Sequence, residues 1–184
     1  RTNQEDGVDL IQTSANNFYE GVTQAEVEAF YKQMADPSDP RPVSYGLNSK
    51  VVKKDGKVQE LKWKVGGMYS DQLIRIVGWL HKAVEVAEND IQKKVITSLI
   101  EYYETGDLAT YDKYSILWLQ DVNSQVDFVN GFTETYTDPL GMKATWESIV
   151  NFKDVEATKR TTLISENAQW FEDNSPTDKQ FKKE

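Results

Sequence analysis

A glutamate and a tyrosine two positions apart, Glu134 and Tyr136, are the side chains in this sequence most suited to chemistry. From Gln125 onward the polar and apolar residues alternate, which predicts a β-strand, and residues two apart on a strand share a face. Phe132 and Asn130 fall on that same face. The carboxylate is therefore expected among partly apolar neighbours, where it needs a partner because burying it unpaired is costly.

Two interpretations of this pair follow from the residues alone. In the first, Glu134 is structural and pairs with another side chain, such as a lysine of the following strand. In the second, the pair forms the wall of a cleft, where Glu134 binds a ligand ammonium and Tyr136 donates to a developing oxyanion. Asp138 and Glu147 offer further carboxylates for glycoside hydrolysis, but nothing in the sequence sets the carboxylate separation that this chemistry requires.

Composition excludes several other sites. The 184 residues contain no cysteine, so disulfides, thiolate zinc sites and cysteine nucleophiles are absent from this sequence. The one histidine, His81, lies in a predicted helix off its apolar stripe, and we expect it on the surface rather than on a metal. No metal or other cofactor site is expected in this chain. The formal charge of −9 disfavours nucleic acid, and no apolar run is long enough for a membrane span.

A helix and a β-hairpin are the first elements that the sequence predicts. Thr23 and Glu26 form a capping box that starts the helix. An Asp-Gly pair then marks a hairpin turn. We favour a three-residue loop, residues 54–56, because it pairs Leu47 with Trp63 and keeps one apolar face, whereas a two-residue loop puts the apolar faces on opposite sides.

Three amphipathic helices follow, beginning near residues 70, 89 and 107, and they are expected to pack as an antiparallel layer. After the strand of Glu134 comes a turn at 138–141, a return strand to 152 and one last helix capped by Asp154. The prediction is an α+β fold: antiparallel β-hairpins or a partial β-barrel packed with several α-helices, in a single domain segment spanning 1–184.

The segment 131–141 carries a family resemblance. It reads Gly-Phe-Thr-Glu-Thr-Tyr-Thr-Asp-Pro-Leu-Gly and resembles the Gly-Phe-x-Glu-x-Tyr-x-Asp-Pro-x-Gly signature of the dipeptidyl peptidase III family, which are zinc-dependent exopeptidases. Four earlier segments resemble, in order, those that precede the signature: 47–49, 65–69, 103–107 and 118–121. Two more, 18–23 and 167–171, are similar to Bacteroides-type members.

The resemblance implies a two-lobed peptidase that releases dipeptides from the free amino terminus of oligopeptides. This chain matches much of the lower lobe, which contains a five-stranded β-barrel. By the same resemblance, Glu134 binds the terminal ammonium of the substrate and Tyr136 is the catalytic residue that stabilises the oxyanion. Phe132 and Asn130 are the accompanying substrate-binding candidates.

The family's zinc motif, His-Glu-x-x-Gly-His, and its later glutamate do not occur in these residues. Zinc is therefore expected in the complete protein, in an upper lobe that acts as this segment's partner, and the chain alone is expected to be inactive. The alternative is a non-catalytic peptide-binding or interaction module derived from the same lobe. A carbohydrate-binding domain is a distant third, suggested only by five tryptophans. We expect a soluble protein, cytoplasmic or periplasmic, processed from or lying within a longer chain.

Overall fold

The computed structural model describes residues 2–182, which contain both helices and strands and confirm the α+β prediction. The elements in chain order are α1 (Leu10–Thr13), β1 (Tyr19–Glu20), α2 (Gln24–Met34), β2 (Ser49–Lys54), β3 (Lys57–Lys62), α3 (Ser70–Glu85), α4 (Asp90–Thr105), α5 (Leu108–Gln120), β4 (Val126–Glu134), β5 (Thr145–Phe152), α6 (Val155–Glu166), α7 (Ala168–Asn174) and a 3₁₀ turn (Lys179–Phe181).

The chain divides into two compact units. Unit 1 runs up to Ser124 and includes Phe128–Ile149; unit 2 comprises Gln125–Asp127 and the residues from Val150 onward. Among the described residues, every buried side chain belongs to unit 1. The single domain segment over 1–184 stays a prediction.

The strands form two open sheets, and neither closes into a barrel within residues 2–182. One sheet has the order β1-β2-β3, with β1 parallel to β2 and β3 antiparallel to it. The other consists of β4 and β5. The short strand β1 was not predicted, because two residues are too few to show an alternating pattern.

The register of the first hairpin differs from the prediction. Lys54 pairs with Lys57, so the loop has two residues, Asp55 and Gly56, and the predicted pairing of Leu47 with Trp63 is wrong. Both loop residues have positive φ, 51° and 75°, as in the type I′ turn that Asp-Gly favours.

The physical reason is that β3 does not need an apolar face in this register. Glu60 lies opposite Val51, and its carboxylate accepts hydrogen bonds from the Ser49 hydroxyl at 2.7 Å and the Tyr31 hydroxyl at 2.9 Å. Because these hydroxyls satisfy the carboxylate, the tighter turn is compatible with a buried neighbour on β2.

Helices α2, α4 and α5 begin where their predicted capping residues lie. Thr23 and Glu26 form the reciprocal capping box of α2. Asn89 caps α4, which ends at Gly106 in a left-handed conformation, and Asp107 caps α5. Helix α4 packs against both α3 and α5. Within the described part of the chain, none of the helices combines the length and apolar character needed to cross a membrane.

The last predicted helix is two helices. Asp154 caps α6 as expected, accepting from the Ala157 backbone N–H at 2.9 Å. The helix then breaks at Asn167, whose side-chain amide donates to the Leu163 carbonyl at 2.8 Å and whose backbone N–H donates to the Ile164 carbonyl at 3.1 Å. An asparagine side chain that hydrogen-bonds to the backbone in this way competes with the helical hydrogen bonds and favours the end of the helix.

Candidate functional site

Glu134 and Tyr136 lie together at the end of β4, in unit 1. Both line an open cleft of about 540 Å³. Strand β4 ends at Glu134, and the Asp138 N–H donates to the Thr135 carbonyl at 3.0 Å to form a turn. Tyr136 therefore lies in this turn and not on the strand, which corrects its predicted position while keeping it on the wall that Glu134 shares.

The Glu134 carboxylate has no partner among the described residues. It is partly buried, and among residues 2–182 it makes no hydrogen bond or ion pair. Its backbone carbonyl accepts a hydrogen bond from the Thr145 hydroxyl at 3.2 Å. The structural interpretation, in which a lysine of the next strand pairs with Glu134, is not what the structure shows. A partly buried, unpaired carboxylate is suited to bind a cation.

The Tyr136 phenol is likewise unpaired in the part of the chain that the structure describes. Its side chain is 74 % exposed, and within the described residues its hydroxyl makes no hydrogen bond. A phenol donates one hydrogen bond and accepts others. The cleft thus presents an acceptor-only carboxylate and a free O–H donor within three residues of chain.

Asn130 and Phe132 do not line this cleft. Phe132 is 4 % exposed, with its ring 4.8 Å from that of Trp63. Asn130 accepts from the Tyr103 hydroxyl and donates to the Ser148 hydroxyl at 3.2 Å. The structure engages both residues in contacts outside the cleft lining, and their role as substrate contacts stays a prediction.

Asp138 anchors the turn. It is buried and accepts hydrogen bonds from the Tyr19 hydroxyl at 2.9 Å and from the backbone N–H groups of Leu140, Met142 and Lys143 at 3.2, 2.8 and 2.8 Å. Because these four donors satisfy the Asp138 carboxylate, its role is structural. Glu147 is likewise engaged, by the Thr133 hydroxyl. Neither is a free carboxylate for glycoside hydrolysis.

Lys143 is the residue that sequence reasoning missed. It is fully buried, and its ammonium donates to the Tyr31 hydroxyl at 2.7 Å and to the Gly46 carbonyl and Ser49 hydroxyl, both at 3.1 Å. Burial lowers the pKa of the Lys143 ammonium to about 8, because desolvation penalises the charged form. The sequence around Lys143 carries no signal that the ammonium is buried, since its acceptors come from distant parts of the chain.

Gly46 leaves room for this lysine. A Cβ at position 46 would lie 2.7 Å from the Tyr31 hydroxyl and 3.0 Å from the Lys143 ammonium, and the glycine has a φ of 86°. Both the space and the left-handed backbone favour glycine there. The segment after Asp138 is thus attached to α2 and to the start of β2 through buried polar contacts.

The expected surface position of His81 is confirmed, because the residue is exposed on α3. Within residues 2–182, no three or more His, Cys, Asp or Glu side chains are grouped so that they could hold a metal ion. The described residues therefore do not fit a zinc site.

Comparison with known proteins shows that the chain matches a protein family. Residues 13–184 match the model of Peptidase family M49. The chain is 28 % identical over 120 residues to Dipeptidyl peptidase 3 of Dictyostelium discoideum, covering 65 % of this chain and 17 % of that protein. It is 32 % identical over 84 residues to Dipeptidyl peptidase 3 of Homo sapiens, covering 46 % of this chain and 11 % of that protein.

Solved structures agree in fold. The structure of dipeptidyl-peptidase III from Corallococcus sp. strain EGB aligns with a TM-score of 0.59 and 25 % identity, covering 91 % of this chain and 30 % of that one. The structure of DPP III from Caldithrix abyssi aligns with a TM-score of 0.60 and 24 % identity, covering 91 % and 31 %. This chain therefore spans about a third or less of the proteins it matches. The Bacteroides-type likeness stays a prediction.

Proposed function

The chain belongs to peptidase family M49, and from that premise we propose that it forms a substrate-cleft wall of a zinc-dependent dipeptidyl peptidase. The complete protein would release dipeptides from the free amino terminus of oligopeptides. The observation that carries the proposal is that the Glu134 carboxylate and the Tyr136 phenol line one cleft and that neither is paired with a described residue.

Glu134 is proposed to bind the amino-terminal ammonium of the peptide. A carboxylate with no partner among the described residues can accept the ammonium's N–H groups as charge-assisted hydrogen bonds, which are stronger than neutral ones. Its partial burial strengthens the attraction, because the effective dielectric constant is lower than in water. An acetylated terminus has no charge and would bind less well, so this contact selects for free amino termini.

Tyr136 is proposed to stabilise the oxyanion that forms at the scissile carbonyl. Its hydroxyl is free to donate where negative charge develops in the transition state. Cleavage after the second residue places that carbonyl only about 7 Å along the substrate from its terminus, since an extended chain advances about 3.3–3.6 Å per residue. Two neighbouring positions on one cleft wall suit so short a span.

Zinc is expected to be held by residues of the complete protein outside this chain, in the upper lobe, where it would supply an activated water. The contribution of this chain is to bind and orient the peptide and to donate to its carbonyl. On its own, the 184-residue chain is expected to cleave nothing.

The test is to incubate the complete protein with an oligopeptide and to identify the products by mass spectrometry. We expect successive dipeptides from the free amino terminus, none from the amino-acetylated peptide, and loss of cleavage on chelation of zinc. Products that begin inside the peptide would contradict the proposal. So would binding of the free peptide without any cleavage by the zinc-loaded protein, the outcome expected of a binding module.

A further inference from the structure

Asp138 joins two consecutive turns in the segment that carries Tyr136. Its backbone N–H donates to the Thr135 carbonyl and its own carbonyl accepts from the Gly141 N–H, both at 3.0 Å. Tyr136 and Thr137 are therefore the two central residues of the first turn. Since the hydrogen bond that closes this turn ends on Asp138, the place of the Tyr136 backbone depends on where Asp138 is held.

The Asp138 carboxylate is attached to a distant part of the chain by the Tyr19 hydroxyl. Three of its donors are backbone N–H groups of its own loop, at 3.2, 2.8 and 2.8 Å. The fourth is the Tyr19 hydroxyl, which lies 2.9 Å away and comes from a residue 119 positions earlier. Within residues 2–182, Tyr19 is the one side chain that donates to this carboxylate.

Tyr19 is itself held in a sheet. It lies on β1 opposite Val51 of β2, whose N–H donates to the Phe18 carbonyl at 2.9 Å. The Tyr19 side chain is 8 % exposed and Asp138 is 3 % exposed, so their hydrogen bond is shielded from water. Burial and the neighbouring carboxylate of Asp138 raise the pKa of the Tyr19 hydroxyl above its ordinary value. The hydroxyl therefore keeps the proton that it donates.

Glu134, the other residue of the cleft, has a different support. It ends strand β4, before the turn, and its carbonyl accepts a hydrogen bond from the Thr145 hydroxyl, at the start of β5, at 3.2 Å. Tyr136, by contrast, lies in the turn that Asp138 closes. Loss of the hydrogen bond between Tyr19 and Asp138 should therefore displace Tyr136 more than Glu134.

We propose that Tyr19 is a positioning residue for the peptidase reaction, because its hydrogen bond to Asp138 holds the Tyr136 hydroxyl where the oxyanion develops. Tyr19 does not line the cleft and acts through the turn. The inference rests on the proposed function, since it deepens the role given there to Tyr136. A misplacement of about 1 Å can lower a rate by about 10²-fold, so the loss of one such contact should be measurable.

Tyr19→Phe in the complete protein is the first test. It removes the hydroxyl and keeps the ring, whose centre lies 5.5 Å from the Lys143 ammonium. We expect kcat to fall about tenfold, while KM and the preference for a free over an acetylated amino terminus change less than about twofold. The preference should persist because Glu134 keeps its support. An unchanged kcat would overturn the proposal.

Tyr102→Phe is the matched control. It removes the hydroxyl of another buried tyrosine, on α4, whose ring packs against Tyr103 and Tyr111. This substitution should leave kcat unchanged. A fall in kcat as large as that of Tyr19→Phe would overturn the proposal, because the loss of any buried tyrosine hydroxyl would then have the same effect.

A double substitution separates positioning from a general structural role. In a Tyr136→Phe background no hydroxyl is left to position, so Tyr19→Phe should lower kcat further by less than about twofold. A further fall of about tenfold would overturn the proposal, since Tyr19 would then act independently of the Tyr136 hydroxyl.

Amide hydrogen exchange tests the attachment of the loop without reference to catalysis. In the complete protein, Tyr19→Phe is expected to speed exchange in peptides spanning residues 139–144, which carry the N–H donors of Asp138, by at least about tenfold. Exchange over α4 should not change. Unchanged exchange at 139–144, or an equal rise over α4, would overturn the proposal.

The two proposals fail in different ways. If Tyr136→Phe leaves kcat unchanged, the proposed role of Tyr136 is wrong, and the positioning role is wrong with it even where exchange shows that Tyr19 holds the loop. If Tyr136→Phe lowers kcat and Tyr19→Phe does not, only the positioning role is wrong.

Discussion

Two regions of the segment 134–143 differ in whether their polar groups have hydrogen-bond partners. The rim, Glu134 and Tyr136, faces a cleft and leaves its carboxylate and phenol unpaired within the described chain. The base, Asp138 and Lys143, is buried, with four donors around the carboxylate and three acceptors around the ammonium.

The difference shows which carboxylate is structural and which is available. Asp138 and Glu134 are four positions apart, and sequence alone offers both as candidates for chemistry. Buried polar groups are satisfied by the fold, so a satisfied one holds the structure, whereas an unsatisfied one on a rigid support can bind a ligand. The buried contacts of Asp138 and Lys143 thereby hold the turn that contains Tyr136.

The largest expected effect comes from removing the rim's donor. In the complete protein, Tyr136→Phe is expected to lower kcat by about 10²–10³-fold, or about 2.7–4 kcal/mol, with a much smaller change in KM. The hydroxyl makes no hydrogen bond to the described residues, so folding should be unaffected. Steady-state kinetics measure the effect, and an unchanged kcat would contradict the assigned role.

The next effect falls on the base. Asp138→Asn keeps the shape but places an amide among donors that need acceptors, and it is expected to lower the free energy of unfolding by about 1–3 kcal/mol. Urea unfolding of the 184-residue chain measures this. An unchanged free energy of unfolding would show that Asp138 does not hold the turn.

The base should also make stability depend on pH. The pKa of Lys143 is lowered from 10.5 to about 8, so between these values the unfolded chain binds more protons than the folded one. The free energy of unfolding therefore rises with pH in this window, by about 1–2 kcal/mol from pH 8 to 9.5. The groups that face the ammonium are Tyr19, Tyr31, Glu60 and Asp138.

Lys143→Met is the control for this slope. It keeps an unbranched side chain and removes the titrating group, so the extra rise between pH 8 and 9.5 should vanish. Burial raises the pKa of Tyr19 and Tyr31 above their ordinary value in the folded chain. A slope that persists in the Lys143→Met variant would assign it to another group.

The smallest expected effect is on stability at the rim. Glu134→Gln removes a charge that no described residue contacts, so the free energy of unfolding should change by less than about 0.5 kcal/mol. Glu134→Gln and Asp138→Asn both replace a carboxylate by an amide, but only Asp138→Asn is expected to lower the free energy of unfolding. Equal destabilisation by both would end the distinction between rim and base.

Local signals in the sequence predicted local structure. The Thr23–Glu26 capping box, the cap at Asp154 and the Asp-Gly turn were all located correctly, because each depends on residues a few positions apart. Glu134 and Tyr136 line one cleft wall, as their spacing led us to expect, although Tyr136 lies in a turn; their roles stay a prediction.

Features that depend on distant contacts could not be predicted. The hairpin register depends on Tyr31 reaching Glu60, and the burial of Lys143 depends on acceptors from Gly46 and Ser49. No local pattern reports such partners. The chain after Asp154 makes the same point. Apolar spacing predicted a helix there and a helix forms, but Ile164 on its apolar side is 58 % exposed.

The most direct test of the central claim compares free and amino-acetylated forms of one oligopeptide as substrates of the complete protein and its Glu134→Gln variant. If Glu134 binds the terminal ammonium, the variant should lower kcat/KM for the free peptide by about 10–150-fold, the equivalent of about 1.5–3 kcal/mol for a hydrogen bond to a charged group. The preference for the free over the acetylated peptide should shrink by a similar factor. A preference that is as large in the variant as in the unsubstituted protein would contradict the account.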